Sequence, residues 1–318
     1  MKFIKDLSEG SALNDIYFVK QLSNKVTKNG KPYMDVTLQD RTGTIDGKVW
    51  DVNSPGIDDF SQLDYVYISG DVSVFNNALQ ANIKRARKAR EGEYEPADYL
   101  PVSEKDIDEM YGELLQIIDS IREPHLKELL ESFFKGDEKF KKRFCFHSAA
   151  KSVHHGFVGG LLEHTLSVAK VCDFFAKNYP FLDRDLLLTA AILHDIGKLN
   201  EIAPFPLNDY TDEGQLLGHI VIGTEIISNR IRKIEGFPAV KARELLHCIL
   251  AHHGELEFGS PKKPALVEAV ALSFADNVDA KMETFREALL NVAPGDLSWQ
   301  GFNRFLDSNI RRTMAVEE

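Results

Sequence analysis

The hydrophobic pattern of this 318-residue chain changes period once, and that single change limits the folds open to it. Before about residue 90 the apolar residues alternate, with Met34, Val36 and Leu38 set between Asp35, Thr37 and Gln39. A period of two puts every second side chain on one face of a strand. Five such runs, Asp15 to Leu22, Tyr33 to Gln39, Thr44 to Trp50, Tyr65 to Phe75 and Ala78 to Ile83, are rich in Val, Ile, Tyr and Phe. Asn29-Gly30-Lys31-Pro32, Arg41-Thr42-Gly43 and Asn76-Asn77 punctuate them as turns. Five short strands in about ninety residues predict a small closed β-barrel, an arrangement that leaves no exposed edge.

From residue 103 the period becomes 3.6. Ile107 to Phe134, Leu161 to Asn178, Asp185 to Lys198, Leu216 to Glu235, Val240 to His253, Leu266 to Leu290 and Ser298 to Thr313 all read as amphipathic helices. Pro180, Pro204, Pro206, Pro238, Pro261, Pro264 and Pro294 fall between these runs or at their starts, where proline is tolerated. The expected fold class is multidomain β + α, a five-stranded barrel followed by an all-α bundle. Lys84 to Pro101, polar and broken by Gly92, Pro96 and Pro101, predicts a linker. The expected divisions are 1–90 for the barrel, 91–150 for linker and helical spacer, 151–290 for the main helical domain and 291–318 for a helical tail.

Charge follows the same division. Residues 1–90 hold 13 Lys/Arg and 11 Asp/Glu, while the remaining residues hold 25 and 38, giving a whole-chain formal charge of −11. Such an acidic balance argues against indiscriminate binding of nucleic acid. The barrel is the exception, because Lys84, Arg85, Arg87, Lys88 and Arg90 crowd five positive charges into seven residues. That run is either a solvated strand end or a phosphate-tracking surface. No apolar run nears the ~20 residues of a membrane span, and the start lacks a signal-peptide core. Three widely spaced cysteines, Cys145, Cys172 and Cys248, suggest neither a disulfide framework nor a thiolate zinc site. A cytoplasmic protein is expected.

Nine of the ten histidines lie between His147 and His253. Each predicted helix from Leu161 to Leu290 carries a metal-type ligand: His164, then the adjacent His194-Asp195, His219, the pair His252-His253, and Asp276. His164 shares a stripe with Val168, Val171 and Phe175, and His252 shares one with Leu245 and Ile249, so both rings should face the bundle. One imidazole on an apolar stripe is ordinarily a satisfied core residue. Five helices each aiming His or Asp inward would strand polar groups at roughly 1–3 kcal/mol apiece unless they share a cation. Nitrogen and oxygen donors without thiolate suit Mn²⁺, Fe²⁺, Co²⁺, Ni²⁺ or Zn²⁺.

The ordered set His164, His194-Asp195 and Asp276 resembles the HD-domain metal-dependent phosphohydrolases, and His219 and His252 match the further ligands of their two-metal members. The run Gly30-Lys31-Pro32-Tyr33 to Val49-Trp50-Asp51 resembles OB-fold domains. Together with Ala149 to Gly156, Gly160 to Thr165, Gly214 to His219, His252-His253-Gly254 and Gly259 to Pro264, the chain resembles the YhaM-type 3′-to-5′ exoribonucleases over nearly its whole length. That resemblance implies a Mn²⁺-assisted hydrolase releasing nucleoside 5′-monophosphates from single-stranded RNA, with single-stranded DNA as the alternative strand. It implies one ion on His164, His194, Asp195 and Asp276, and a second on Asp195, His219 and His252, joined by His253. Two ions about 3.5–4 Å apart would hold a bridging hydroxide as nucleophile and stabilise a phosphoryl group.

Several further residues are substrate candidates. Lys198, one helical turn past Asp195, would bind non-bridging phosphate oxygens or, equally, sit as a surface lysine near a helix end. His154 and His155 precede the first ligand helix and would touch substrate, whereas His147 and His247 are read as structural. Lys262 and Lys263 lie in a proline-rich loop and either guide phosphate or remain solvated. In the barrel, Tyr33, Trp50, Tyr67 and Phe75 are candidates for base stacking, with at least half of them expected in the barrel core. Lys84, Arg85, Arg87 and Lys88 would contact the strand. Two competing readings remain, a phosphodiesterase for a small nucleotide, which would not need the barrel, and a non-catalytic nucleic-acid-binding regulator.

Overall fold

A computed structural model describes residues 2–76, 78–95, 98–151, 155–290 and 292–314. The chain divides into two compact units, Met1–Val102 and Ser103–Glu318.

In the first unit β1 (Ala12–Val26), β2 (Pro32–Asp40), β3 (Gly43–Val49), β4 (Tyr65–Phe75) and β5 (Ala78–Lys88) close into a barrel of order β1-β2-β3-β5-β4. The long strand β1 makes closure possible, since its first half pairs with β4 and its second half with β2, with a register shift between Val19 and Gln21. A parallel contact of β3 with β5, Asp46 to Lys48 against Gln80 to Asn82, completes the ring. This is the five-stranded Greek-key barrel of the OB-fold. Its interior follows the alternation in the sequence: Val36, Leu38, Val49, Val66 and Ile68 are fully buried, while Asp35 and Thr37 are not.

The segment after β5 behaves differently from the expected polar linker. Tyr94 stacks on Tyr65 with ring centroids 3.8 Å apart, Tyr99 is buried, and the Gln39 side-chain amide donates to the Tyr99 carbonyl. These rings cover Ile16 and Phe18, so β1 is buried on both faces from Ile16 to Val19. Glu, Gly and Pro dominate the composition here and hide two tyrosines whose apolar bodies do the packing.

The second unit is built from α1 (Ile107–Asp119), α2 (Pro124–Phe134), α3 (Glu138–Phe146), α4 (Gly160–Asn178), α5 (Arg184–Leu193), α6 (Lys198–Glu201), α7 (Asp212–Ile231), α8 (Ala239–Leu250) and α9 (Val267–Leu289). Helix α5 is its axis: every residue from Leu186 to Leu193 is buried, as expected of a helix apolar on all sides. Helices α1 to α3 contribute Leu114, Leu126, Phe133 and Phe144 to the same core that holds Leu161, Leu187, Leu245 and Leu272. Side-chain caps start several helices, with Asp106, Glu123, Asp137, Asp183 and Thr211 each accepting from a backbone N–H of the first turn. Among the described residues no helix is long and apolar enough to cross a membrane.

The expected C-terminal helix over Ser298 to Thr313 does not form. That stretch makes a small hairpin, β6 (Phe302–Asn303) against β7 (Ser308–Asn309), with Gly301 and Asp307 both in the left-handed region. The Asn303 side-chain oxygen accepts from the N–H groups of Phe305 and Leu306, a local bond that competes with helix. Trp299, Phe302 and Phe305 remain exposed, so the apolar spacing that suggested a helix never buries a stripe.

Candidate metal centre

The backbone converges on one point from five directions. His164 projects from the first turns of α4. The expected helix through Lys198 instead ends at Leu193; His194 caps it, Asp195 lies in the following turn, and Lys198 opens the short α6. That turn is held tightly, because a Cβ at Gly197 would fall 2.0 Å from the carbonyl oxygen of His219. Helix α7 is broken at Gly218, whose φ of 73° is open to glycine at little cost, and the break brings His219 inward. His252 and His253 follow the end of α8, and Asp276 lies on α9.

Asp195 is the shared element. Its Oδ2 lies 3.3 Å from both His164 Nε2 and His194 Nε2, and Asp276 Oδ1 stands 3.3 Å from His164 Nε2. Its Oδ1 faces the other way, 3.5 Å from His219 Nε2 and 3.8 Å from His252 Nε2. Among the described residues three donor sets result, each with its donor atoms within 4.8 Å of one another. His164, His194 and Asp276 form one and His219, His252 and His253 another, on either side of Asp195, while His155, His164 and Asp279 form a third beside the first.

The outer nitrogens decide what the inner ones can do. His194, His252 and His253 donate Nδ1–H to the carbonyls of Ala191, Ile249 and Phe258. His164 and His219 donate theirs to carboxylates, Asp279 at 2.7 Å and Glu201 at 2.9 Å. All five rings are thereby locked with the Nε2 lone pair pointing inward, the arrangement by which outer partners orient metal-binding imidazoles. His219 Nε2 and His252 Nε2 are buried with no hydrogen-bond partner, and His164 Nε2 approaches His194 Nε2 at 3.1 Å. Lone pairs so placed need a cation between them. The residues fit divalent ions with nitrogen and oxygen ligands.

The carboxylates that face His164 favour positive charge at its inner nitrogen, whether a proton or a metal cation. Burial alone would push the His164 imidazolium down, yet Asp195, Asp276 and Asp279 outweigh it and hold it well above the ordinary range. His252 shifts the opposite way, driven down by burial and by His194 and His253. Asp195 stays ionised because Lys198, His194 and His164 overcome the burial that would raise it. Lys198 places Nζ 2.7 Å from Asp195 Oδ2 and lines a cavity of about 280 Å³ together with His155, Tyr210, His219, His253 and Asp276.

Sequence reasoning missed Asp279 and Glu201. Asp279 also accepts from His155 Nε2 at 3.0 Å and from the Ser167 hydroxyl. Its spacing of three from Asp276 on one helix was a readable signal; Glu201 offered none, because it meets His219 only through the fold.

Residues 161–281 match the HD domain family. Over 286 residues the chain is 34% identical to the 3′-5′ exoribonuclease YhaM of Geobacillus sp. (strain WCH70), covering 89% of this chain and 87% of that protein. It is also 34% identical over 297 residues to the 3′-5′ exoribonuclease YhaM of Bacillus velezensis, covering 92% of each. The chain belongs to the YhaM family. Among solved structures, the second OB-fold domain of replication protein A from Methanococcus maripaludis is similar to 29% of this chain and 96% of that domain, at 20% identity and a TM-score of 0.23.

The remaining candidates of this YhaM family member are distributed unevenly. His155 is buried in the cavity wall, and His154 lies outside the described residues. Lys262 and Lys263 are exposed and are not among the cavity-lining residues; Lys263 pairs with Glu255 at 2.5 Å. His147 and His247 are satisfied by backbone groups, His147 by the carbonyls of Ser148 and Ile202 and His247 by the Ala265 N–H. In the barrel, Lys84, Arg87 and Lys88 pair with Asp71, Glu93 and Asp64, and Arg85 is exposed. The expectation that at least half of the four barrel aromatics are core is corrected. Trp50 and Phe75 are exposed and Tyr33 and Tyr67 only half-buried; Trp50 and Tyr67 alternate with the inward Val49, Val66 and Ile68, while Phe75 lies at the exposed end of β4 beside Val74. Tyr33 and Trp50 stack on one another with centroids 5.1 Å apart, and Arg87 lies over Tyr67.

Proposed function

We propose that this chain is a metal-dependent 3′-to-5′ exoribonuclease that hydrolyses single-stranded RNA to nucleoside 5′-monophosphates. The observation that carries the reading is the divided Asp195 carboxylate, one oxygen facing His164 and His194 and the other facing His219 and His252. His164, His194, Asp195 and Asp276 would hold one divalent ion, and Asp195, His219, His252 and His253 a second; these donors suit Mn²⁺, Fe²⁺, Co²⁺, Ni²⁺ or Zn²⁺ alike, and the resemblance to the YhaM exoribonucleases favours Mn²⁺. Such a pair supplies Lewis-acid stabilisation of phosphoryl oxygens and activation of water.

The chain's own residues do the rest. Lys198 pairs with the same carboxylate and lines the cavity, and would turn its ammonium to a non-bridging phosphate oxygen. Asp279 and Glu201 fix the two imidazoles they hold. In the barrel the exposed Tyr33–Trp50 stack offers a face to a base, and Lys84, Arg85, Arg87 and Lys88 offer charge to the backbone. Surface ion pairs are worth about 0–1 kcal/mol, so those cations can exchange their carboxylates for phosphate.

The test is incubation of 5′-end-labelled RNA with the full-length protein in Mn²⁺, Mg²⁺ or chelator. The expected result is shortening of the labelled strand one nucleotide at a time, lost with chelator and with Asp195→Ala. Undiminished degradation by folded Asp195→Ala would remove the metal centre from the reaction.

A further inference from the structure

The cavity beside the metal centre has an apolar lining that the chemistry above leaves unused. Lys198, His219 and Asp276 give it charge, whereas Ala149, Ala150 and Ile202 add hydrocarbon. Among the described residues that line it, Tyr210 carries the one aromatic ring that is not an imidazole. Tyr210 is 46% exposed, so much of its surface is open to a ligand.

An exposed ring on a connecting segment is ordinarily mobile. Here the segment from Ala203 to Thr211 is fastened on both sides. Towards α6, Tyr210 bridges Ile202 in a short antiparallel pair, the Ala203 N–H donates to the Asp209 carbonyl at 2.8 Å, and the Thr211 N–H donates to the Glu201 carbonyl at 2.9 Å. Towards Ala149 and Ala150, Asn208 takes a left-handed φ of 44° and uses its whole side chain. Its Oδ1 accepts from the Ser148 hydroxyl, and its Nδ2 donates to the carbonyls of Ala150 and Lys151. Lys151 adds an ion pair to Asp209 at 2.6 Å. Glu201 also holds His219, and Thr211 caps the helix that carries it. The backbone that carries the ring is thus tied to the same groups that position His219, which pre-organises Tyr210 for a ligand at the centre.

The ligand's chemistry follows from the rest of the lining. With the 5′-phosphate of the terminal nucleotide at Lys198, the base lies beyond the sugar, where apolar lining is of use. A strand shortened one nucleotide at a time brings every base to this place in turn. Hydrogen-bonding groups differ in position among the four bases, but each base has a π-face, so stacking on an aromatic ring is a contact all four can make.

We propose that Tyr210 stacks on the base of the 3′-terminal nucleotide and positions the terminal phosphodiester at the centre, whatever the base. The inference rests on the exoribonuclease reading above.

The experiment uses full-length protein with Mn²⁺ and two RNAs of one sequence, ending in an ordinary ribonucleotide or in a ribose phosphate without its base. The kcat/KM of the first cleavage is compared between the two ends within each enzyme, a ratio independent of the active fraction. Wild type should favour the base-bearing end by about 5- to 150-fold, the range that one base–aromatic stack supplies. Tyr210→Phe should keep that preference. Tyr210→Leu should bring it close to unity by slowing the base-bearing end alone. Calorimetry gives a readout without turnover: wild type and Tyr210→Phe should bind a nucleoside 5′-monophosphate more tightly than ribose 5-phosphate, and Tyr210→Leu should bind the two alike. A wild-type ratio near unity, a preference kept by Tyr210→Leu, or one lost in Tyr210→Phe would overturn the inference. Absence of any RNA cleavage by wild type would instead overturn the functional reading beneath it.

Discussion

Glu201 should govern one ion position and leave the other nearly untouched. Its carboxylate accepts from His219 Nδ1 at 2.9 Å and from the His219 backbone N–H at 3.0 Å, and it is buried. Glu201→Gln keeps an acceptor but removes the charge, and charge-assisted bonds are about twice as strong as neutral ones. Glu201→Ala removes both bonds and leaves two N–H groups unpartnered. Losing an outer-sphere partner of this kind costs about 10- to 100-fold in metal affinity. Glu201→Gln should fall near tenfold and Glu201→Ala near 100-fold, about 1.4 and 2.7 kcal/mol. His164 keeps its own bond to Asp279 in both variants, so its ion should bind as before. Calorimetric titration of Mn²⁺ into chelator-dialysed protein should show two events in wild type, only one of them weakened in the Glu201 variants, and the complementary one weakened in Asp279→Asn. Equal weakening of both events by Glu201→Ala, or no weakening of either, would refute the division of the centre at Asp195.

Other expectations follow from packing and charge. Leu187, fully buried on α5, should cost ~2–5 kcal/mol when replaced by Ala, read by urea denaturation. Asp183 caps α5 through the Leu186 N–H and pairs with Lys241 at 2.8 Å; burial would raise its carboxyl, but these partners hold it below the usual range. Its contribution is therefore full above about pH 4, the unfolded value, and is lost as pH falls through the lower native value. Asp183→Ala should destabilise by ~1 kcal/mol at pH 7, with the gap to wild type closing in acid. Trp50→Ala should weaken binding of single-stranded RNA by ~1–3 kcal/mol; the salt dependence should not change, because phosphate contacts set that slope. A changed slope in fluorescence titrations would assign Trp50 a different role.

The fold was legible wherever one face of an element is buried and one is wet. Met34 to Gln39 shows its alternation openly, and β2 carries it from Asp35 to Leu38, beyond which Gln39 is buried as well where its amide meets the Tyr99 carbonyl. The pattern fails where burial is two-sided or absent. Tyr94 and Tyr99 bury the outer face of β1 from a segment that reads as linker, and the tail aromatics keep helical spacing without a surface to cover. At the centre, His164, His194, Asp195, His219, His252 and Asp276 were readable because each is a ligand type on its own helix or helix end. Asp279 and Glu201 act on those ligands through space, and only the break at Gly218 brings His219 to Glu201. The Tyr33–Trp50 stack depends on cross-strand neighbours, which no local window contains.

The formal charge of −11 can be re-examined at the level of individual groups. Asp195, Asp276, Asp279 and Glu201 place four carboxylates in one small region of the helical unit, beside imidazoles that donate outward. Two divalent ions would match those four charges, leaving the Lys198 ammonium as the surplus. An incoming phosphate would then meet a site of positive balance inside an acidic unit, a local field that the formal count leaves out. The barrel shows the converse. Its basic run is positive in the sequence, but Lys84, Arg87 and Lys88 each already face a carboxylate. Strand capture there would exchange one weak surface pair for another, so the Tyr33–Trp50 stack would have to supply more of the affinity than the charge run alone suggests.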